Sequence, residues 1–540
     1  MDNEIEFDVV VVGYGPTGLA AASLLSGRGH RVLVLERWPT LYGRPRVATL
    51  HGEVGRILQA SCDVDLALRN SRVRNSIAMV NEDGDVIHAR RRGDELHIAG
   101  FPQMLSIHQP DIEDALDERV RANGATVLQG WELVGLRQTA DSVELDARQR
   151  PDGNGVPPAM RTFRTKYVIG GDGASSAVRE LMGIKRESWP FRNAWHAVDT
   201  KRLRALPTGK SKYSPDGWST VHICAPEGRA RSIIPLGTDF LRFTFEVDPD
   251  ADNSAVLNRE TAYELLASNH NITPDDVEVH RQAIFTFEGK LADTWRVGRV
   301  FLAGDAAHLM TPFLGEGGCS ALRDAINLSW KMDLVLSNKA DASLLDTYES
   351  ERRPHVRAYI DGADELAALV FTRDPTAAAL RDRQLIAGER SFDYPTPKVG
   401  DGVLHVVDGQ RDAAAGEHAP QGRVARGGVE GRFDDLASWG FQLLGWECDP
   451  VAALDANQQA FLKELGCTIA GLSMAPREGF VHCLDDQYAR YFALRNERYV
   501  LVRPDFVVYG SAKDEPGLAE LVSSLQLHLP MVAQTAAAAA

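Results

Sequence analysis

The sequence predicts an α/β fold that combines a parallel sheet flanked by helices, an inserted antiparallel sheet and a C-terminal α/β unit. Four consecutive valines at positions 9–12 are typical of a strand buried on both faces, and an alanine- and leucine-rich helix pattern follows them. Short runs rich in β-branched and aromatic residues in 191–290 indicate antiparallel strands. A Gly- and Pro-rich segment at 393–433 precedes the last α/β pattern. At 540 residues, the chain is long enough for roughly three domains.

The first motif is a G-x-G-x-x-G loop between the valine strand and its helix. Gly13 permits the tight turn, Gly15 lets a pyrophosphate approach the backbone, and Gly18 allows the helix to pack closely on the strand. The start of the helix offers free N–H groups and positive potential to phosphates. Glu36 closes a second apolar strand at the distance where a carboxylate can bind a ribose hydroxyl. Because strand, helix and acid are all in place, we predict a dinucleotide site rather than an incidental glycine-rich turn.

Two further segments repeat the pattern of a strand running into a helix. At 166–179 an apolar strand leads into Asp172 and Gly173, which alone would be typical of an ordinary turn. At 299–331 a buried strand delivers Asp305 to a loop, and a glycine-rich stretch then opens a long amphipathic helix. Alone, this third segment would indicate a second phosphate loop. Its helix start also suits the stabilisation of negative charge on a reduced ring system.

The antiparallel region is predicted to carry a pocket. Residues 77–90 have the pattern of a β-hairpin with Asp83 and Gly84 at the turn, so a second sheet grows out of the first domain early in the chain. The aromatic residues of 191–290 are more often core than ligand wall, and we assign none of them to a site.

Composition excludes several classes of function. With 59 basic and 75 acidic residues the net charge is −16, which argues against nucleic acid as a partner. Six cysteines are scattered without a C-x-x-C or a metal-ligand cluster, so we expect reduced thiols and no metal site. The N-terminus carries acids where a secretory signal carries bases, and no apolar run reaches the length of a membrane helix. We therefore expect a cytoplasmic protein with no membrane partner.

In order and spacing the three motifs resemble those of the group A flavin-dependent aromatic monooxygenases, the family of para-hydroxybenzoate hydroxylase and phenol hydroxylase, over roughly residues 7–360. The segment Leu501-Val-Arg-Pro-Asp505 resembles the thioredoxin-like C-terminal domain of the phenol, 3-(3-hydroxyphenyl)propionate and polyketide hydroxylase branches. Without a C-x-x-C, that domain is expected to be structural or to mediate subunit contact, and the resemblance is compatible with a homodimer. It implies a discontinuous Rossmann-like FAD-binding domain at 1–74, 104–190 and 284–392, a substrate-binding domain at 75–103 and 191–283, a linker or arm at 393–433, and a thioredoxin-like domain at 434–535.

Carried over residue by residue, the resemblance assigns contacts with FAD. The ADP half would contact Gly13, Gly15, Pro16, Thr17, Gly18, Glu36 and Arg37. The rest of the cofactor would contact Arg46, Gln109, Asp172, Gly173, Gly304, Asp305, Pro312, Gly315, Gly317, Gly318 and Cys319. Relatives usually have Gly-Gln-Gly-Met-Asn where this chain has Gly315-Glu-Gly-Gly-Cys319. An ionised Glu316 beside the flavin would repel a reduced anionic ring, and Cys319 cannot replace an asparagine amide.

The chemistry that the resemblance implies is hydroxylation of a phenolic ring. FAD would be reduced by NADH or NADPH and would react with dioxygen to a flavin C4a-hydroperoxide, which transfers oxygen to a small phenol of the 3-(3-hydroxyphenyl)propionate type. No second glycine motif supplies a nicotinamide domain, so NAD(P)H would bind transiently near the same cleft, and the sequence does not choose between NADH and NADPH. A base that deprotonates the phenol would help, and His222, Tyr213 and His196 are candidates, although each is more typical of a structural residue.

Three other functions stay open at this stage. A tailoring hydroxylase for a polyketide or another polycyclic phenol would share every motif. A non-catalytic FAD-binding regulator is suggested by Glu316 and Cys319. A flavin-dependent halogenase is disfavoured because the chain lacks a Trp-x-Trp-x-Ile-Pro stretch.

Overall fold

The computed structural model describes residues 5–74, 76–91, 95–151, 158–214, 218–226 and 229–529. None of the helices within these ranges is both long enough and apolar enough to cross a membrane. The α-helices are α1 Pro16–Gly27, α2 Gly52–Ser61, α3 Val64–Ala67, α4 Gln109–Ala122, α5 Ala177–Leu181, α6 Arg259–His270, α7 Glu316–Leu336, α8 Thr347–Val370, α9 Pro375–Ile386, α10 Ala456–Leu465, α11 Gln487–Arg495 and α12 Glu515–His528.

The strands form three large sheets and two small ones. They are β1 Phe7–Val12, β2 Val32–Glu36, β3 Thr49–His51, β4 Arg72–Val73, β5 Ser76–Asn81, β6 Val86–Arg91, β7 Met104–Ser106, β8 Thr126–Gln129, β9 Trp131–Gln138, β10 Val143–Gln149, β11 Met160–Gly170, β12 Arg186–Arg202, β13 Thr220–Cys224, β14 Arg231–Leu236, β15 Phe240–Val247, β16 Val277–Ala292, β17 Arg296–Val297, β18 Val300–Leu302, β19 His308–Leu309, β20 Val406–Val407, β21 Gln410–Arg411, β22 Arg423–Arg426, β23 Val429–Arg432, β24 Gln442–Trp446, β25 Thr468–Ser473, β26 Phe480–Cys483, β27 Tyr499–Val502 and β28 Val508–Ala512.

The first large sheet is the predicted parallel one. Six of its eight strands run in the order β17-β18-β11-β1-β2-β8, and the neighbours from β18 to β8 pair in parallel. The other two are antiparallel, since β10 pairs with β11 and with β9. The four valines of β1 are at most 4% exposed, because neighbouring strands and packed helices cover both faces of this central strand. The carboxyl ends of β1, β11 and β18 meet at one edge of the sheet, and each of the three motifs begins there.

The second large sheet has the order β19-β16-β12-β15-β14-β13-β5-β6 and is antiparallel except where β13 pairs with β5. The predicted hairpin is confirmed as β5 and β6. The long strands β12 and β16 pair along most of their length, so the sheet extends away from the first domain. A small sheet, β3-β7-β4, lies between the two.

The C-terminal unit is a seven-stranded sheet in the order β23-β22-β26-β25-β24-β27-β28. Strand β24 pairs in parallel with β25 and antiparallel with β27, and α10, α11 and α12 follow the strands in sequence. This order is compatible with a thioredoxin-like domain, which stays a prediction. Strands β22 and β23 lie within the segment 393–433 that was expected to be a linker. Since β22 pairs with β26, both strands belong to the C-terminal sheet. We therefore propose that the C-terminal domain begins before residue 423; the other domain boundaries stay proposals.

A buried ionic cluster fixes the C-terminal unit to the first domain. Arg503 follows β27 and donates to both carboxylate oxygens of Glu351 in α8, at 2.9 and 2.7 Å. It also donates to Asp505, which in turn accepts a hydrogen bond from Asn327 in α7. Lys331 of α7 lies 2.9 Å from Glu351. Helix α7 begins within the third motif. This cluster therefore holds in place the helix whose first turn lines the site described below.

Candidate functional site

The three motifs meet around one cavity of about 720 Å³. One half is walled by the loops at the end of the parallel sheet, and the other half continues along the face of the antiparallel sheet. The predicted cofactor-contacting residues that line it are Gly13, Gly15, Pro16, Thr17, Glu36, Arg37, Arg46, Gln109, Asp172, Gly173, Asp305, Pro312, Gly315, Gly317 and Gly318. Gly18, Gly304 and Cys319 do not line it. The contacts with FAD themselves stay predictions.

The glycine loop leaves room for a ligand at one position only. Gly13 has a φ of +97°, and a β-carbon on it would meet the carbonyl oxygen of Gly171 at 2.5 Å. A β-carbon on Gly18 would overlap the carbonyl oxygen of Gly13, so Gly18 permits the helix to touch the turn. A β-carbon on Gly15 would have no described atom within 4 Å, and the residue faces the cavity. The loop therefore fits the close approach of a phosphate at Gly15.

Glu36 lies where the ribose of a dinucleotide is expected. Its carboxylate accepts hydrogen bonds from the backbone N–H of Tyr14 at 2.7 Å and of Trp38 at 2.8 Å. Burial raises the pKa of Glu36 despite these two bonds. Each carboxylate oxygen has a second lone pair, so the group can still accept a ribose hydroxyl from the cavity side.

Gln109 holds the backbone of the segment that carries Arg46. Its amide oxygen accepts from the backbone N–H groups of Arg46 at 2.9 Å and Val47 at 2.7 Å, and its amide nitrogen donates to Glu113. The Arg46 guanidinium pairs with Asp305 at 2.9 Å across the cavity. The two side chains are 52% and 30% exposed, so the pair contributes little stability and can be exchanged for contacts with a ligand.

Asp172 holds the turn of the second motif. Its carboxylate accepts from the Ser176 hydroxyl at 2.5 Å and the Val178 N–H at 3.1 Å, at the start of α5. Burial raises the pKa of Asp172. Arg179 then donates to the backbone oxygen of Ala306, at 3.1 Å. The second and third motifs are thus joined by a buried side chain.

Sequence reasoning missed the buried carboxylate that organises the third motif. Asp324 of α7 is fully buried, accepts from the Gly304 N–H at 3.0 Å and lies 2.6 Å from the His308 imidazole. Arg352 of α8 donates to its other oxygen at 2.8 Å. Asp324 and His308 both stand in the third motif of the sequence, but only the return of the chain through α7 brings them together.

The structure does not place the Glu316 side chain on the cavity in which the flavin is expected. Glu316 is 4% exposed and turned away from the cavity, with Arg323 at 2.7 Å and His51 at 3.3 Å. Cys319 is also buried, and its thiol points toward the backbone oxygen of Thr49. Neither side chain lines the cavity, whereas Gly317 and Gly318 of the same helix turn do. The ligating atoms of His51, Glu316 and Cys319 lie within 4.8 Å of one another, but the guanidinium beside Glu316 already neutralises its charge.

The other half of the cavity has an aromatic wall that sequence reasoning did not assign. Trp195, Phe285, Phe287 and Phe313 line it, and the Trp195 ring lies 5.6 Å from that of Phe313. Cavity-lining residues alternate along three strands, at 195 and 197, 220 and 222, and 242 and 244, whereas residues 285–288 of β16 all line the cavity. This period of two is a signal in the sequence, but only the location of the cavity shows which face it marks.

Of the three candidate bases, His222 lines the cavity and the other two do not. His196 is one residue out of phase with Trp195, and its ring lies 2.9 Å from Gln282. The Tyr213 hydroxyl donates to the backbone oxygen of Glu82 at 3.0 Å. His222 pairs with Ser232 at 2.8 Å, and burial together with the Arg74 cation lowers its pKa to about 4. The imidazole is therefore neutral at physiological pH and is a weak base.

Comparison with known families matches two parts of the chain. Residues 6–363 match the family described as FAD binding domain, and residues 416–527 match the HcaD C-terminal domain. A probable NADH-specific resorcinol 4-hydroxylase of Rhodococcus jostii (strain RHA1) is 32% identical over 526 residues, which is 96% of this chain and 94% of that one. A 3-(3-hydroxy-phenyl)propionate/3-hydroxycinnamic acid hydroxylase of Burkholderia cenocepacia (strain HI2424) is 30% identical over 99% of both chains.

Solved structures agree on the fold. The flavin-dependent monooxygenase PieE, in complex with FAD and substrate, superposes with a TM-score of 0.79 at 22% identity and covers 98% of this chain and 100% of its own. Aklavinone-11 hydroxylase, in a ternary complex with FAD and aklavinone, gives 0.76 at 24% identity with the same coverage. At these identities the likeness concerns the fold alone.

Proposed function

The chain belongs to the family that shares this FAD-binding domain, and we propose that it is an FAD-dependent aromatic hydroxylase that uses NAD(P)H and dioxygen. The observation that carries the proposal is one continuous cavity in which a dinucleotide half continues into an aromatic half. The relatives that match nearly the whole chain are named hydroxylases of phenols. A ring held against the aromatic wall would therefore lie next to the cofactor.

The residues of the first half fit FAD. Gly15 leaves open space for a phosphate, Glu36 can accept a ribose hydroxyl, and Asp305 lines the same cavity. When bound, FAD accepts electrons from NAD(P)H and passes them to dioxygen, so that one oxygen atom enters the ring and the other becomes water.

The protein's own part is to hold the ring, exclude water and stabilise charge. The aromatic wall of Trp195, Phe285, Phe287 and Phe313 gives the ring apolar contacts and keeps water out. The first turn of α7 directs positive potential into the cavity at Gly317 and Gly318. Neutral His222 can exchange a hydrogen bond with a ring hydroxyl without needing to become charged.

We propose a phenol with one ring as the substrate. The relatives named above act on resorcinol or on 3-hydroxyphenyl acids, according to their names. A cavity of about 720 Å³ must hold the substrate together with FAD, whereas pockets of ~300–1,000 Å³ usually hold a single drug-sized ligand. This size favours a single ring over a polycyclic one. The case for a non-catalytic regulator relied on Glu316 and Cys319 beside the flavin, and both side chains point elsewhere.

The test is anaerobic reduction of the bound flavin in stopped flow by NADH and by NADPH. Resorcinol, 3-(3-hydroxyphenyl)propionate and a polycyclic quinol are added in turn. We expect one of the two single-ring phenols to accelerate reduction strongly, with NADH as the first donor to try. Acceleration by the polycyclic quinol alone would shift the proposal to a tailoring hydroxylase. Absence of reduction under every condition would contradict hydroxylation.

Cytoplasmic location and a homodimer also stay proposals.

A further inference from the structure

A buried arginine in the substrate half of the cavity lacks a counter-ion. Arg74 follows β4, is 6% exposed and lines the cavity beside the antiparallel sheet. Within the part of the chain that the structure describes, no carboxylate lies within 4.0 Å of its guanidinium. Burial lowers the pKa of Arg74 to about 9, which leaves the group protonated at neutral pH. A buried charge without a partner is costly, so such a group is normally found where a ligand supplies the partner.

Neutral groups hold the guanidinium in place. It donates to the Thr49 hydroxyl at 2.7 Å and, at 3.3 Å, to the backbone oxygens of Ala48 and Pro235. These bonds use three of its five N–H groups, and its Nε has no hydrogen-bond partner among the described residues. Donors therefore remain for a further acceptor, while the position of the group is already fixed.

A second arginine in the same cavity shows the usual solution. Arg242 is 7% exposed and also lines the cavity, but it pairs with Asp199 through two bonds of 2.6 and 3.0 Å. Its charge is thus balanced inside the protein. The lack of a counter-ion therefore distinguishes Arg74 from the other buried arginine of the same cavity.

Arg74 is also close to the loop that opens α7 and to His222, the one candidate base that lines the cavity. Its partner Thr49 packs against Gly315, so the guanidinium is one side chain away from the loop that opens α7. It is near enough to His222 for its charge to lower the pKa of that imidazole. The hydroxyls of Thr220 and Thr244 on the same wall have no hydrogen-bond partner among the described residues, so they can serve a polar ligand too.

We propose that Arg74 determines substrate specificity by binding an anionic oxygen, a phenolate or a carboxylate, on the aromatic ring that enters the cavity. The inference rests on the proposed function only in taking the ligand of this half to be an aromatic compound. It deepens that function, because a phenol bound as phenolate is the better nucleophile, and a fixed cation favours that form without a strong protein base.

The test is equilibrium binding to the oxidised holoenzyme, without NAD(P)H, so that it does not depend on turnover. Three ligands share one ring: nitrobenzene is neutral, 4-nitrophenol ionises near neutral pH, and 4-nitrobenzoate carries a carboxylate. Their dissociation constants are measured from the change in flavin absorbance. The ionised fraction of bound 4-nitrophenol is read from its phenolate band. The variants are Arg74→Met, which removes the charge, and Arg74→Lys, which keeps it.

We expect Arg74→Met to weaken binding of at least one anion roughly 10- to 100-fold, the range for a hydrogen bond to a charged group, and to leave nitrobenzene unchanged. Loss of 4-nitrophenolate, with its band, would identify the anion as a phenolate, and loss of 4-nitrobenzoate alone would identify a carboxylate. Arg74→Lys should retain most of the preference.

Two outcomes would overturn the proposal. Equal weakening of all three ligands by Arg74→Met, with normal FAD content, would mean that Arg74 only shapes the wall. Unchanged affinity of Arg74→Met for both anions would mean that the charge serves another group, such as the reduced flavin. If no phenol ever stimulates NAD(P)H oxidation, the proposed function fails, but the binding result for Arg74 still stands or falls by itself.

Discussion

Gly15 and Gly18 stand three residues apart in one motif, but replacing them with alanine should affect the stability of the protein differently. Gly15 has φ −82° and ψ −175°, an extended conformation open to any residue, and its added methyl group would meet no described atom within 4 Å. Replacing glycine at a compatible position stabilises by about 0.4–1 kcal/mol, whereas alanine is a poorer helix cap by a similar amount. The free energy of unfolding of the apoprotein should therefore change by less than about 1 kcal/mol.

The same methyl group would occupy the space through which a pyrophosphate approaches the backbone. Each hydrogen bond lost to a charged phosphate costs about 1.5–3 kcal/mol, so the FAD dissociation constant should rise roughly 10- to 100-fold for each bond. Gly18→Ala is the matched control. Its methyl group would overlap the carbonyl oxygen of Gly13, and such overpacking costs about 1–3 kcal/mol or more.

The assay has two parts for both variants. Urea unfolding of protein stripped of FAD reports the apparent stability of the apoprotein, and quenching of FAD fluorescence reports the affinity. Gly15→Ala should lose affinity at unchanged urea midpoint, and Gly18→Ala should lose both. The reasoning is refuted if Gly15→Ala binds FAD like the parent protein, or if it unfolds as early as Gly18→Ala.

Four further outcomes are expected. Asp305→Ala should weaken FAD retention, and an unchanged dissociation constant would remove Asp305 from the site. Glu316→Gln should change the flavin potential little, because the carboxylate points away from the cavity; a shift of tens of millivolts in dye equilibration would contradict that orientation. Arg503→Ala should lower the free energy of unfolding by about 3–5 kcal/mol, since Lys331 alone cannot balance the buried carboxylates of Glu351 and Asp505, and a urea midpoint like that of the parent would oppose this. Burial alone would raise the pKa of Glu351, but the Arg503 cation lowers it from 4.5 to about 2. This stabilisation is therefore fully present above pH 4.5 and is lost progressively as the pH falls from 4.5 to about 2; acid titration of the parent and of Glu351→Gln compares the two.

The fold was largely predictable because its elements have strong local signals. The valine run of β1 and the glycine loop determine a buried strand and a helix with little help from the rest of the chain. The hairpin of β5 and β6 was predictable from its turn residues. The arm at 393–433 was harder, because β22 and β23 form only a short hairpin, and the hairpin joins the C-terminal sheet through the pairing of β22 with β26, roughly 57 residues later.

The site was predictable where backbone geometry defines it and not where side chains converge from distant segments. The glycines follow from what a β-carbon would meet. Arg74 carries no motif, and its importance depends on the absence of a counter-ion among the described residues around it. The orientation of Glu316 depends on Arg323, two helix turns further along α7, and on His51 from another sheet. No spacing rule connects such partners.

The most direct test of the central claim is hydroxylation under isotopically labelled dioxygen. The FAD-loaded protein is mixed with NADH and resorcinol or 3-(3-hydroxyphenyl)propionate, and the products are analysed by mass spectrometry. We expect a phenolic product with one labelled oxygen atom for each NADH consumed. NADH oxidation that yields only hydrogen peroxide and unchanged phenol, with every phenol tried, would contradict it.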